Sequence, residues 1–178
     1  MAENDNQQGA AGAQQQTDEN QPQFALQRVY IKDSSFEAPN TPLIFQEQWK
    51  PQVSMDLNTN HTKVSDNQYE VVLSLTLTTK IGEQTAYIVE VQQAGVFMIK
   101  NIEGARLGQM LGAYCPSVLF PYARESIDTL VTKGSFPALM LAPVNFDAIY
   151  QQALKRKQEE QGGAAAEEDQ EQPQGQSH

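Results

Sequence analysis

The chain carries a single cysteine and two histidines in 178 residues. Cys115 has no partner for an internal disulfide, which points to a reducing compartment. No cysteine or histidine pair has the spacing of zinc ligands, so a structural zinc site is not expected. No apolar run approaches the roughly 18 residues that a membrane span needs. The first 22 residues have neither a basic start nor an apolar stretch, so no secretory signal is expected among them. Basic residues are also scarce, 12 against 22 acidic ones, and the net charge is -10. Such a surface repels nucleic acid phosphates and anionic lipid heads, and favours encounter with positively charged partners.

Leu, Ile, Val, Phe, Tyr and Trp are missing altogether from residues 1–22. Residues 155–178 begin Lys155-Arg156-Lys157 and then turn to Glu, Gln, Ala and Gly. Neither end offers enough apolar surface to offset the entropy of ordering, so both read as polar tails, the second extending a helix at its start. The folded domain is expected over residues 23–154, as one unit with room for a hydrophobic core.

Within that domain the apolar residues first follow a period of two. Phe24–Ile31 has strand composition with imperfect alternation, and Asp33 and Ser34 interrupt it. Ala38–Pro42 is a loop, because its prolines lack ladder donors. Val53, Met55 and Leu57 alternate with polar residues. Tyr69, Val71, Leu73, Leu75 and Leu77 form a longer row, and Tyr87, Val89 and Val91 resume it beyond a turn at Lys80–Glu83, which makes an antiparallel hairpin. Gly95–Ile99 either extends the last strand past a bulge or leaves the sheet.

After residue 103 the period changes. Leu119, Ala123, Ile127, Leu130 and Val131 share one side of a helix, with Arg124, Glu125 and Asp128 on the other. Pro116 suits its first turn, Pro121 predicts a local irregularity, and Lys133-Gly134 is a stop signal. A last helix starts at Asn145 with Phe146, Ile149, Tyr150 and Leu154 as its stripe. One sheet face covered by helices makes an α+β domain. The opposite face carries Thr, Ser and Glu together with Val72 and Ile88, so it is either wet or partly used by a partner.

Catalytic material is thin. Cys115 as a nucleophile needs a base and an electropositive setting, and no local motif brings His61 to it; its plainer reading is a small buried hydrophobe. Glu83, Glu90 and Glu103 are scattered, while Asp33 and Glu37 are four apart, which suits a charged patch better than an acid–base pair. Gly104, Gly108 and Gly112 are not a phosphate loop, since no Gly-Lys-Ser/Thr follows. They are either a smooth strip for close helix approach at a subunit contact or a loose connection. Two loops are unusually apolar: Leu43, Ile44, Phe45 and Trp49 follow one proline-rich turn, and Leu139, Met140 and Leu141 lie between Pro137 and Pro143. Either the loops cover each other as satellite core, or they line an open groove adaptable enough for many sequences.

Several longer segments then resemble one family in order: Ile-Lys-Asp-Ser-Ser-Phe-Glu-Ala-Pro-Asn at 31–40, Glu-Val-Gln-Gln-Ala-Gly at 90–95, Leu-Gly-Ala-Tyr-Cys-Pro at 111–116, Leu-Phe-Pro-Tyr-Ala-Arg-Glu at 119–125, and Leu-Ala-Pro-Val-Asn-Phe-Asp at 141–147. Across roughly residues 24–150 the chain resembles the SecB family of bacterial protein-export chaperones. The glutamine-rich N-terminus departs from it. The resemblance implies a four-stranded antiparallel sheet with helices on one face, assembled as a homotetramer, a dimer of dimers. It implies a cytoplasmic chaperone that uses neither ATP nor a cofactor. Such a protein holds unfolded precursors and passes them to the SecA motor ATPase. The SecA-facing patch carries over onto Asp33, Glu37, Ile88 and Glu90. Tyr87, Val89, Val91 and Gln93 resemble positions of the tetramer-forming face. The client groove resembles the space between the main helix and the loop bearing Leu43, Ile44, Phe45 and Trp49, to which we add Leu139 and Met140.

Overall fold

The computed structural model describes residues 20–168, with side chains through Glu159. The two extremes of the expected tails, 1–19 and 169–178, lie outside the described residues. Four antiparallel strands form one sheet in the order β1-β4-β3-β2. They are β1 (Gln23–Glu37), β2 (Pro51–Ser65), β3 (Gln68–Ile81) and β4 (Gln84–Lys100). A short 3-10 turn, Leu43–Gln46, crosses from β1 to β2. The helices are α1 (Gly104–Gln109), a π-type stretch (Met110–Tyr114), α2 (Cys115–Lys133) and α3 (Phe146–Glu168).

The period-two rows of β3 and β4 are the floor of the core. Val71, Leu73, Leu75, Leu77, Tyr87, Val89 and Val91 are at most 1 % exposed, and Leu119, Ala123, Ile127 and Val131 of α2 pack onto them, each fully buried. Burial of a Val or Leu side chain contributes about 1.5–3 kcal/mol, so these facing rows dominate the stability of the domain. Tyr87, Val89, Val91 and Gln93 are therefore inside the chain's own core. This corrects their reading as a subunit interface: an inward-facing row under α2 has no surface left to offer another copy.

Two strand expectations change, and the choice left open at Gly95–Ile99 is decided. β1 does not stop at Asp33. It runs to Glu37, with register shifts between Leu26 and Arg28 and between Ile31 and Asp33. Each bulge moves the following residues to the other face, and this is why the alternation looked imperfect. The Gly95–Ile99 stretch stays in the sheet, paired with both β1 and β3. Val53 and Met55 are each 41 % exposed, because β2 is an edge strand and α2 covers only the middle of the sheet.

The helical half also departs in places. The irregularity lies before Pro116 rather than at Pro121: the N–H of Cys115 reaches back five residues to the carbonyl of Met110. Pro121 sits inside α2. The stop at Lys133-Gly134 is present, with the Gly134 N–H donating to Leu130 at 2.9 Å. Gly134 has an ordinary φ of -75°. The reason for a glycine is proximity, since a Cβ there would lie 2.3 Å from the Phe36 ring. The last helix starts as expected, with Asn145 Oδ1 accepting from the Ala148 N–H at 3.0 Å. It continues past Leu154 to Glu168.

Two glycines of the strip, Gly108 and Gly112, form a docking surface within the chain rather than a loose connection, while Gly104 faces open space. A Cβ at Gly112 would stand 2.5 Å from the Tyr150 ring, and one at Gly108 would stand 2.7 Å from its hydroxyl. Their missing side chains leave a notch for Tyr150, which holds α3 against the π-type stretch.

Candidate functional site

The two apolar loops separate in the fold. The crossover after β1 passes a cis Thr41–Pro42 peptide and turns through Leu43–Gln46, held by the Ile44 N–H donating to Asn40 at 2.9 Å. Asn40 Nδ2 in turn donates to the Thr85 carbonyl at 2.9 Å, which ties the loop to β4. Ile44 points inward and is 2 % exposed; it is core, a correction to its reading as a surface contact. Leu43 is 69 % exposed, Phe45 48 % and Trp49 37 %. Phe45 and Trp49 wall a depression of about 190 Å³ with Phe136 at its base. The Phe136 ring lies 5.1 Å from that of Phe45, 5.9 Å from Trp49 and 4.9 Å from Tyr87. Phe136 is 5 % exposed. The open aromatic wall thus stands on a ring anchored in the core.

Leu139 and Met140 do not join that wall. Leu139 is pinned at its N–H by Asp128 Oδ1, 3.0 Å away. With Pro121, Arg124, Glu125 and Asp128 it and Met140 line a separate depression beside α2, about 220 Å³. Met140 is 85 % exposed. Neither loop seals the other, so the reading as mutual cover fails and exposed apolar surface remains at both places.

A third trough, about 410 Å³, runs between β2 and α3, with Leu57, His61, Ile149, Leu154, Arg156 and Lys157 among its walls. Sequence reasoning missed both this trough and Phe136. The signal for Phe136 was an aromatic residue held between Gly134-Ser135 and Pro137, where loops are usually polar. The trough between β2 and α3 had no local signal, since it exists only because Tyr150 docks α3 there.

The sheet face away from the helices is uncovered. On β4, Glu37 lies opposite Ile88, Ser35 opposite Glu90 and Asp33 opposite Gln92. The bulge before Asp33 is what turns Asp33, Ser35 and Glu37 to this side. Asp33, Glu37 and Glu90 are exposed and Ile88 is half-buried. The fold therefore gathers these four residues at one end of one face. Asp56 joins the row: Glu90 is opposite Thr76, and Thr76 is opposite Asp56. Only strand pairing could reveal that membership.

Beside this acidic end lies a polar cluster. Lys32 Nζ donates to both Glu70 carboxylate oxygens, at 2.8 and 2.9 Å, and the Tyr30 hydroxyl donates to the same carboxylate. The hydrogen bonds from Lys32 and Tyr30 hold the Glu70 carboxyl below the usual carboxylate range. The Glu70 carboxylate, with some desolvation, pushes Tyr30 up to about 12.

Chemical machinery is sparse by comparison. Cys115 is fully buried, and desolvation pushes its thiol up to about 12, the opposite of an activated nucleophile. Among the described residues no three His, Cys, Asp or Glu side chains gather to hold a metal ion. No described helix is long and apolar enough to cross a membrane.

An open aromatic depression, set apart from an acidic sheet face, is the kind of surface found on a polypeptide-binding protein. The family described as "Preprotein translocase subunit SecB" matches residues 17–157. The protein-export protein SecB of Marinobacter nauticus is 75 % identical over 157 residues, covering 88 % of this chain and 92 % of the relative. That of Hahella chejuensis is 66 % identical over 137 residues, covering 77 % and 86 %. The chain belongs to the SecB family of protein-export chaperones. In three dimensions it is similar to a Mycobacterium tuberculosis SecB-like chaperone solved in complex with an antitoxin peptide, with a TM-score of 0.57 at 14 % identity over 68 % of this chain and 90 % of that one. This last likeness concerns the fold alone.

Proposed function

We propose that the chain holds unfolded precursor polypeptides in the cytoplasm without ATP and delivers them to the SecA motor, acting as a homotetramer built as a dimer of dimers. The observation that carries the reading is the Phe45–Trp49 wall, left open to water yet mounted on buried Phe136. An extended client buries apolar side chains against such a wall, gaining about 25 cal/mol per Å² before ordering costs. Several subunits engaging one client raise the effective concentration of the remaining sites. Leu43, Phe45 and Trp49 are the first client contacts, with Leu139 and Met140 a second, separate one.

Asp33, Glu37, Ile88 and Glu90 form the SecA-docking patch in this reading. Clients and motor then use different faces, so a loaded chaperone keeps its motor surface free. A basic SecA segment would be steered to the acidic face, which speeds encounter more than it deepens affinity.

The test is suppression of aggregation of a reduced, unfolded client, followed by light scattering without nucleotide. Excess chaperone is expected to suppress the signal, and unchanged scattering refutes holding. For docking, Glu90→Lys is expected to weaken SecA binding in calorimetry while client binding stays unchanged. Unaltered SecA affinity removes the patch assignment.

A further inference from the structure

We infer that Glu70 is a positioning residue for the acidic docking face: it holds the Lys32 ammonium away from the neighbouring carboxylates, so that their charge stays available to a basic partner. This inference rests on the docking role proposed above for Asp33, Glu37 and Glu90.

The placement follows from strand register. Bulges normally cost ladder hydrogen bonds, and this one inserts Lys32 between Ile31, paired with Gln93, and Asp33, paired with Gln92. Asp33 shares the uncovered face with Gln92. Lys32 must use that face too, because it bonds Glu70, which lies opposite Val96 on the same side. A cation and a patch carboxylate are therefore consecutive in sequence and on one face, an arrangement that a regular strand forbids. Left free, Lys32 would neutralise the end of the patch.

Glu70 prevents this from two strands away. Lys32 and Tyr30 on β1 both reach over β4 to its carboxylate on β3. The crossing covers Ala94, which lies between Tyr30 and Val72 on the uncovered face and yet is 0 % exposed. A small residue at 94 gives the bridging side chains room to lie flat. The Glu70 side chain is only 18 % exposed, against 46 % for Lys32. The anchor is thus the more fixed partner. The cluster divides the face into an acidic end, with Asp33, Glu37, Glu90 and Asp56, and a more apolar end, with Val72, Val96 and Met98.

The experiment measures SecA affinity of the full chain by calorimetry, with client holding as the control for folding. Glu70→Gln leaves every patch carboxylate in place but releases Lys32. It is expected to weaken SecA binding about three- to fivefold, the size of effect carried by one surface ion pair. Adding Lys32→Met to Glu70→Gln is expected to restore wild-type affinity, which a merely structural loss cannot do. Asp66→Asn, the same change in net charge made at the β2–β3 turn, is expected to leave affinity unchanged. Tyr30→Phe keeps the charge count and should weaken binding in the same direction by a smaller factor. Wild-type affinity in Glu70→Gln overturns the inference. So does failure of the Lys32→Met addition to rescue, or an equal loss in Asp66→Asn. A wild-type chain without SecA affinity overturns the docking reading itself and is read separately from these variants.

Discussion

Gly112→Ala sets two known effects against each other. Alanine favours a helix over glycine by about 1 kcal/mol, so propensity alone makes the variant more stable. The structure argues the reverse. The new Cβ would lie 2.5 and 2.7 Å from two atoms of the Tyr150 ring, where ordinary contact begins near 3.4 Å. The ring is planar and stiff, and it also lies over Gly108. It cannot fold aside as a lysine could, so either Tyr150 leaves the notch or α3 moves off by about 1 Å. Overpacking of this kind costs about 1–3 kcal/mol. Less the propensity gain, the net destabilisation is expected to be about 0–2 kcal/mol overall, with a larger effect confined to α3. Global unfolding in urea therefore gives only the smaller number. The sharper assay is limited proteolysis at Lys155, Arg156 and Lys157, whose cleavage should accelerate as α3 undocks. Tyr150→Ala should speed cleavage similarly, and the double variant should add little to either single one, because both remove the same contact. A variant with slower cleavage and higher urea resistance would mean that propensity had won and that the notch does not hold α3.

Phe136→Ala should cost about 3–5 kcal/mol in chemical denaturation, because it removes a buried ring shared by core and trough, and client holding should fall with it. Phe45→Ala should leave stability nearly intact but reduce client affinity, as read from the fluorescence of Trp49, the chain's single tryptophan. Cys115 should resist alkylation at pH 8 in the folded protein and react at once in denaturant, since burial raises its thiol to about 12. The folded-state carboxyl of Glu70 is depressed, so its stabilising contribution is present above the ordinary carboxylate range and is lost as pH falls through the folded value. The stability gap between wild type and Glu70→Gln should accordingly close in acid. Tyr30 is raised to about 12, so its contribution is complete below 10 and is lost as pH climbs through about 12. The gap to Tyr30→Phe should close in that alkaline window.

Local pattern was enough for the elements that bury one complete face. The odd-numbered rows of β3 and β4 and the stripe of α2 were legible because period and burial coincide there. The motifs at 31–40, 90–95, 111–116, 119–125 and 141–147 were enough for the family. The even-numbered placement of Ile88 and Glu90 also followed from period two alone. Cys115 read as a small buried hydrophobe, and buried it is. The loops at 43–49 and 139–140 announced themselves as apolar where water is expected.

Tertiary structure decided the rest, because a sequence row records which side a residue takes but not what covers that side. Val53 and Met55 repeat the pattern of Leu75 and Leu77, yet they stay exposed on an edge strand that α2 does not reach. Period two put Tyr87, Val89 and Val91 on a buried face while the family resemblance put them at a subunit contact, and only the packing shows α2 lying over them. The bulge at Lys32 leaves no mark in composition, but it puts Lys32 and Asp33 on one face and brings Lys32 to Glu70. Pairing across strands added Asp56 to the acidic row, and packing made a ring notch of Gly108 and Gly112. Periodicity is a property of the backbone and can be read along the chain. Coverage depends on contacts between segments far apart in sequence, and those exist only once the chain has folded.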